Sequence, residues 1–277
     1  MRTVNRSLVP VPAVLSDTNA INEAVEVYRS SGSKGKPNNS IYSHETVLHS
    51  LSLIYYNKCF LCESLTSRGG DQVVEHFLPH SPATPERAYD WNNLNTACRR
   101  CNDLKRKNEF KETDPDNKII ATLLLDPSRP PQGFSIESII SFDSDGMEAA
   151  VTDQFSLNLI ANNTKKLLND PTLRHRRRDR ADALRDTIIQ RCSIRDIQKL
   201  CALDPLNLDQ FHNITKDAML LALEAADRLC LFFLRDSVEH CTSMRRLVET
   251  CYSLCYNDLK RLGVYYSQIK GKPCVYA

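Results

Sequence analysis

Four cysteines in two closely spaced pairs are the first residues of this sequence whose types and spacing indicate chemistry. The pairs are Cys59 with Cys62 and Cys98 with Cys101, and 35 residues lie between them. Two residues between thiolates let one turn of backbone present both sulfurs to a single ion, and two such turns complete a tetrahedral site. Since that site leaves no position for water, the spacing predicts a structural Zn²⁺ and not a catalytic one.

The stretch between the pairs is longer than a zinc ribbon needs, and it carries polar residues suited to catalysis. Glu75 and His76 lie in an apolar run that predicts a strand, Asn93 precedes Leu94, and Asn102 directly follows the last cysteine. A neutral imidazole near pH 7 can take a proton from water, which makes His76 the candidate general base. Glu75 and Asn102 offer hard oxygen ligands, which suit Mg²⁺ or Mn²⁺ and not Zn²⁺.

The order of these residues resembles the HNH endonuclease family. That family has an acidic residue or His before a His on a strand, a central Asn before Leu, and an Asn or His that opens a helix. The resemblance implies a ββα-metal core in which Glu75 and Asn102 bind one divalent ion, Mg²⁺ or Mn²⁺, next to His76. It also implies that Asn93 orients the hairpin and the base, which completes a catalytic set of Glu75, His76, Asn93 and Asn102.

Longer segments are similar to the retron-linked and Septu-type HNH proteins, called PtuB: residues 56–63, 74–81, 90–94 and 97–102. The match covers roughly residues 40–180, and Lys is commoner in that group where His80 stands here. This resemblance implies a bacterial antiphage effector that works with an ABC-type ATPase of the PtuA kind. In some systems it also implies a retron reverse transcriptase and its DNA. The sequence has no Walker A motif of its own, as such a division of labour requires.

Two stretches are locally basic although the formal net charge is only +2. Residues 99–111 and residues 174–185 each hold six Lys/Arg against two acidic residues. Either stretch could meet phosphate, and a solvated helix face is the alternative. In the first stretch the candidate contacts to the nucleic-acid backbone are Arg99, Arg100, Lys105, Arg106 and Lys107. No base-reading element is visible, so the substrate stays open between DNA and RNA, transfer RNA included.

A second class of function also fits the sequence: a non-catalytic zinc module that binds nucleic acid or bridges partners. Asn102 discriminates against it, because a pure zinc knuckle does not need that residue. A thiol enzyme fits poorly, since each CxxC cysteine already has a better use. The remaining cysteines have no paired metal spacing and are interpreted as core thiols: Cys192, Cys201, Cys230, Cys241, Cys251, Cys255 and Cys274.

The elements that must position these groups follow from periodicity and turn residues. We expect a helix capped by Ser43 before the first cysteine pair, a strand over 72–77 and a polar helix over 99–108. A strand pair over 134–142 with a turn at 143–146 should follow. Helices are predicted near residues 19–28, 153–169, 172–192, 193–203, 209–235 and 238–262.

The expected fold class is α+β and mostly α. We predict an N-terminal arm (residues 1–40), a zinc-braced HNH nuclease domain (41–125) and a helical, partner-docking C-terminal domain (126–277). With 42% hydrophobic and 25% charged residues among 277, the composition is that of a soluble globular protein. The longest apolar run, 229–234, is too short to span a membrane, and residues 1–7 open no secretory h-region, so the expected location is the cytoplasm.

Overall fold

Helices dominate the structure, a computed structural model that describes residues 1–32, 35–66, 72–203 and 215–275. Small two-stranded sheets accompany them, so the fold is α+β and mostly α, as predicted. The chain divides into two compact units. The first unit comprises Met1–Ile140 and Val151–Leu168, and the second comprises Ser141–Ala150 and Asn169–Ala277. The boundaries expected near residues 40 and 125 stay predictions.

The first unit combines short helices with hairpins. Its helices are α1 (Ala13–Ser16), α2 (Thr18–Ser30), α3 (Asn39–Tyr42), α4 (Glu45–Tyr55), α5 (Arg99–Lys105), α6 (Ile136–Ile139) and α7 (Leu159–Leu168). Its strands are β1 (Gln72–His76), β2 (Leu94–Cys98), β3 (Lys111–Thr113) and β4 (Ile119–Thr122). β1 pairs with β2 and β3 with β4, both antiparallel. The predicted strand over 72–77 is present as β1, and the polar helix expected over 99–108 is present as α5 but ends at Lys105.

Helix α4 carries the chain to the first cysteine pair. It starts after His44, whose ring Nδ1 accepts the backbone N–H of Thr46 at 3.2 Å. The expectation of a Ser43 cap is therefore wrong by one residue. The helix ends where Tyr56 and Asn57 take left-handed conformations, with φ of 54° and 56°. Two such residues in succession turn the backbone sharply and direct it into the cysteine knuckle.

The N-terminal residues pack against the β1–β2 hairpin. The guanidinium of Arg6 donates to the carbonyl of Trp91 at 3.0 Å and to Asn95 Oδ1 at 2.8 Å. It also bonds the carbonyl of Leu94 and lies over the Trp91 indole ring. The Val4 N–H donates to a main-chain carbonyl in the loop that follows β4. These bonds tie the N-terminal residues to the start of β2 and to the loop after β4.

The hairpin that links the two units differs in part from its predicted form. A strand pair was expected over 134–142, but residues 136–139 form the short helix α6, started by a capping box of Ser135 with Ser138. Strand β5 (Ile140–Phe142) follows, and the predicted turn at 143–146 leads toward β6 (Ala149–Val151).

The second unit is a helical bundle. It contains α8 (Pro171–Arg191), α9 (Ile194–Cys201), α10 (Lys216–Leu229), a π-helical turn (Cys230–Leu234), α11 (Cys241–Tyr252) and α12 (Tyr256–Ile269). The helix expected over 238–262 is two helices, because Ser253 has a φ of 52° and interrupts it. The start of the helix expected over 209–235 lies outside the described residues. Nowhere in the described ranges is a helix both long and apolar enough for a membrane crossing.

The seven cysteines outside the two pairs are only partly core residues. Cys230 and Cys241 are buried, whereas Cys192 and Cys201 are half-buried. The core interpretation is wrong for the three exposed thiols, Cys251, Cys255 and Cys274.

Candidate active site

The structure brings the four paired cysteines together. Their sulfur atoms all lie within 4.8 Å of one another, and all four residues are buried. Cys59 and Cys62 lie in the turn after α4, while Cys98 caps α5 and Cys101 lies in its first turn. The Phe60 N–H donates to a β2 carbonyl at 2.9 Å and ties the first pair to the strand that delivers the second. One ion could be held by all four sulfurs.

The chemistry of this cluster fits a thiophilic cation. Burial raises the pKa of the Cys59 thiol, and hydrogen bonds among the four sulfurs raise that of Cys101. Thiols with raised pKa values become thiolates readily only when a cation lies among them. Four buried sulfur donors are the ligand set of a structural Zn²⁺.

A cavity of about 250 Å³ opens beside the end of β1. Neighbouring residues of a strand usually point to opposite faces, yet Glu75 and His76 both line this cavity. The β1–β2 register is regular up to His76, which is the last strand residue, so the side chains converge where the strand ends. The other lining residues come from elements before and after the hairpin: Tyr42, Val74, Pro79, His80, Lys105, Arg106, Lys111 and Ile119.

The imidazole of His76 is held in one tautomer. Its Nε2 lies 3.0 Å from the Ala88 carbonyl oxygen. Because a carbonyl only accepts, Nε2 carries the proton and Nδ1 is left as the acceptor. Burial, followed by the nearby His80, lowers the pKa of His76 to about 4. The ring is therefore neutral at pH 7, and the edge-to-face ring of Tyr42, 4.9 Å away between centroids, packs against it.

Asn93 ties together the two loop segments that frame His76. Its Nδ2 donates to the carbonyls of Leu78 at 2.9 Å and Arg87 at 2.8 Å. Its Oδ1 accepts the Leu78 N–H at 2.7 Å. Arg87 immediately precedes Ala88, the residue whose carbonyl binds His76. The amide of Asn93 thus fixes the position of the carbonyl that sets the tautomer of the base.

Replacing Asn93 with Asp should destabilise the first unit. A carboxylate oxygen would replace the amide NH2 group and would face the carbonyl oxygens of Leu78 and Arg87. An unsatisfied buried polar group costs about 1–3 kcal/mol, and more when it is charged. We therefore expect the free energy of unfolding to fall by about 3 kcal/mol or more, measured by urea denaturation. Asn92→Asp is the control, because Asn92 is exposed, and its change should stay within about 0.5 kcal/mol. Equal stability of the two variants would contradict the bracing role of Asn93.

Glu75, Asn102 and Lys105 form a buried polar group beside His76. Lys105 Nζ lies 2.8 Å from Glu75 Oε1 and donates to the His76 carbonyl at 2.8 Å. With its amide turned to donate, Asn102 lies 2.5 Å from Glu75 Oε2 and 3.3 Å from Oε1. In the opposite orientation the Asn102 Oδ1 faces the Glu75 carboxylate. Oxygens of both side chains then point toward one position, as ligation of a cation requires. The donor set therefore fits a hard divalent ion.

The candidate phosphate contacts are not equivalent. Lys105 is 5% exposed and its ammonium is bound by Glu75, so it is part of the buried site and not of the helix surface. Arg106 lines the cavity and is exposed, as are Arg99 and Lys107, whereas Arg100 is half-buried. A phosphate in the cavity would meet Arg106 first among these five.

Two tyrosines near the cavity were missed by reasoning from the sequence. Tyr42 lines the cavity and packs on His76, and the Tyr28 hydroxyl lies 2.9 Å from Nδ1 of His80. His80 is half-buried and lines the cavity as well. Tyr28 and His80 are 52 residues apart, so no local spacing connects them.

Several arginines of the second basic stretch have partners within the second unit. Arg177 is 1% exposed, and its Nε donates to the Met147 carbonyl at 2.7 Å. Arg174 forms an ion pair with Glu148, and Arg185 forms one with Asp145. These three arginines bind the tip of the β5–β6 hairpin, so they are less available to contact phosphate.

The stretch that carries this site matches known proteins. Residues 59–108 match the family model of the HNH endonucleases. The Septu protein PtuB of Bacillus mycoides (strain KBAB4) is 30% identical to this chain in an alignment of 106 positions, which covers 31% of this chain and 36% of that protein. The chain thus spans about a third of the length of this curated relative. Both matches confirm the family resemblance: residues 59–108 are similar to the HNH endonucleases, and the chain is similar over part of its length to a Septu PtuB protein.

Proposed function

We propose that this protein is a metal-dependent HNH endonuclease that hydrolyses phosphodiester bonds of DNA or RNA, transfer RNA included. It acts in the cytoplasm as the effector of a bacterial antiphage defence system of the Septu or retron type. The match of residues 59–108 to the HNH endonucleases supports the reaction, and the similarity to a Septu PtuB protein supports the defence role. Eleven cysteines with no disulfide among them suit a reducing compartment.

The observation that carries this proposal is the hydrogen bond from His76 Nε2 to the Ala88 carbonyl. It leaves Nδ1 unprotonated and facing a cavity where a water molecule can be deprotonated. A general base must be neutral at the working pH, and the lowered pKa of His76 meets that condition. A histidine retained only for packing would not need a fixed tautomer beside a carboxylate and an amide.

The remaining site residues have distinct roles in this scheme. Glu75 and Asn102 would hold a Mg²⁺ or Mn²⁺ ion, which supplies Lewis-acid stabilisation of charge on the phosphate and the leaving oxygen. Lys105 keeps the Glu75 carboxylate in place through their 2.8 Å ion pair. Asn93 positions the loop that orients His76. Contacts to the nucleic-acid backbone come from the arginines and lysines of α5 and the residues after it.

The buried four-cysteine cluster is proposed to bind a structural Zn²⁺ that braces the hairpin and α5. Since Cys98 ends β2 and caps α5, an ion there fixes the angle between the strand and the helix that carries Asn102 and Lys105. The zinc would act on catalysis only through this geometry.

The partner is proposed to be an ABC-type ATPase of the PtuA kind, accompanied in retron systems by the reverse transcriptase and its DNA. The similarity to a Septu PtuB protein supports the ATPase. Residues 126–277 are proposed as the docking domain. The helical second unit forms most of this range and lies outside the matched HNH stretch.

The test of this function uses the chain purified with its co-expressed ATPase partner. Plasmid DNA and bulk transfer RNA are offered together, with ATP and either Mg²⁺ or Mn²⁺. We expect cleavage of one polymer, loss of cleavage on adding EDTA, and recovery with Mg²⁺ or Mn²⁺ but not with Zn²⁺ alone. Cleavage of neither polymer, or cleavage that EDTA does not affect, would count against the metal-dependent nuclease. The former result would favour the non-catalytic zinc module.

A further inference from the structure

A tyrosine of helix α2 forms a hydrogen bond with a histidine that lines the cavity of His76. The Tyr28 hydroxyl lies 2.9 Å from Nδ1 of His80. Burial raises the pKa of Tyr28, so the hydroxyl keeps its proton and can donate it to Nδ1. When it does, His80 carries its own proton on Nε2. A phosphate oxygen, which only accepts, selects this tautomer of His80.

With a phosphate bound, the His80 ring is therefore a neutral donor next to the base. It lies edge-to-face on His76, with 4.3 Å between ring centroids, and it lines the same cavity. Burial, followed by Lys105, lowers the pKa of His80, which keeps the ring uncharged at pH 7. In the part of the chain that the structure describes, no protein group bonds its Nε2. One N–H thus remains for a ligand.

We infer that His80 is a phosphate-binding residue of this site, with Nε2–H donating to a non-bridging oxygen of the nucleic-acid phosphate and Tyr28 as its positioning residue. The inference rests on the proposed nuclease function, which brings a phosphodiester into this cavity. A fixed N–H aimed at the place where charge develops stabilises the transition state without reorganisation. A neutral donor also adds no second cation beside Lys105, whose ammonium is 2.8 Å from Glu75.

Two substitutions at His80 separate hydrogen bonding from packing. His80→Gln keeps an N–H donor and loses the ring, whereas His80→Phe keeps an edge-to-face ring and loses the donor. We expect His80→Phe to lower kcat/KM by about 10²-fold, as removal of one transition-state donor does. His80→Gln should retain most of the wild-type value. Tyr28→Phe, which frees the tautomer, should lie between the two.

The measurements are steady-state cleavage of the sensitive polymer by the complex and fluorescence anisotropy of a labelled oligonucleotide. Anisotropy is measured in a His76→Ala background, so that the probe is not cut. Melting temperature and zinc content check that each variant folds. His49→Phe, at an exposed position of α4, is the matched control and should change neither readout.

The opposite order of kcat/KM values, with His80→Phe active and His80→Gln impaired, would show that His80 only packs against His76. Equal activity of both variants and the wild type would remove His80 from the site while leaving the nuclease intact. A wild-type complex that cleaves neither polymer would instead overturn the nuclease function. Weaker oligonucleotide binding by His80→Phe alone would then still identify His80 as a phosphate ligand.

Discussion

Cleavage by the His76→Ala variant is expected to be slower than wild-type cleavage by about 10²–10⁴-fold, the usual contribution of a general base. Alanine removes Nδ1, the acceptor that the Ala88 carbonyl keeps free of a proton. The fold should persist, because the ring sits beside a cavity and its loss leaves the Asn93 bonds to Leu78 and Arg87 in place. The measurement is the single-turnover rate of the complex on its preferred polymer.

His49→Ala is the matched control for this variant. His49 is an exposed histidine of α4, and its removal should leave the cleavage rate unchanged. Zinc content and melting temperature of His76→Ala should also stay close to wild type. A His76→Ala protein that is folded and cleaves at the wild-type rate would exclude His76 as the base and assign the activity to another site or a contaminant.

Replacing Cys59 or Cys101 with serine should remove the zinc and unfold the first unit. Binding of a structural zinc contributes about 10–16 kcal/mol in small zinc-binding peptides. That is comparable to the whole stability of a typical domain, about 5–15 kcal/mol. Both residues are buried, with 2% and 0% of their surface exposed, so a hydroxyl there has no solvent to compensate. We expect insoluble protein or a zinc content near zero, measured by plasma mass spectrometry together with circular dichroism.

Cys274→Ser controls for a general effect of losing a thiol. Cys274 is exposed, so this substitution should change neither zinc content nor melting. A soluble, zinc-free Cys59→Ser protein with wild-type cleavage would refute the structural role of the ion. Retention of one zinc per chain by Cys59→Ser would show that three sulfurs suffice.

The parts of the site that could be predicted are those whose residues lie close together in the sequence. Each cysteine pair is closed by one turn of backbone, and β1 and α5 follow from local apolar and polar patterns. The break of the long C-terminal helix at Ser253 was not predictable in this way. Serine carries no strong breaking signal, and its left-handed conformation depends on the packing of the helices on either side.

The Tyr28–His80 bond and the burial of Lys105 were out of reach for a related reason. A tyrosine in a polar helix and a lysine in a basic run carry no sign of a distant partner. Their partners, His80 and Glu75, are brought near by the way α2 and α5 fold back on the hairpin. Position in space, and not residue type, separates Lys105 from the exposed Arg106 next to it.

The two units exchange chain segments, and this order has a consequence for synthesis on the ribosome. Ser141–Ala150 emerge first but belong with the helices of Asn169–Ala277, and Val151–Leu168 emerge later but complete the first unit. The tip of the β5–β6 hairpin must therefore wait for its partners, among them Arg177 and Ser243, which packs on Gly146. The first unit is thereby complete only when residue 168 has been translated, and a chain arrested before then carries the cysteine cluster without helix α7.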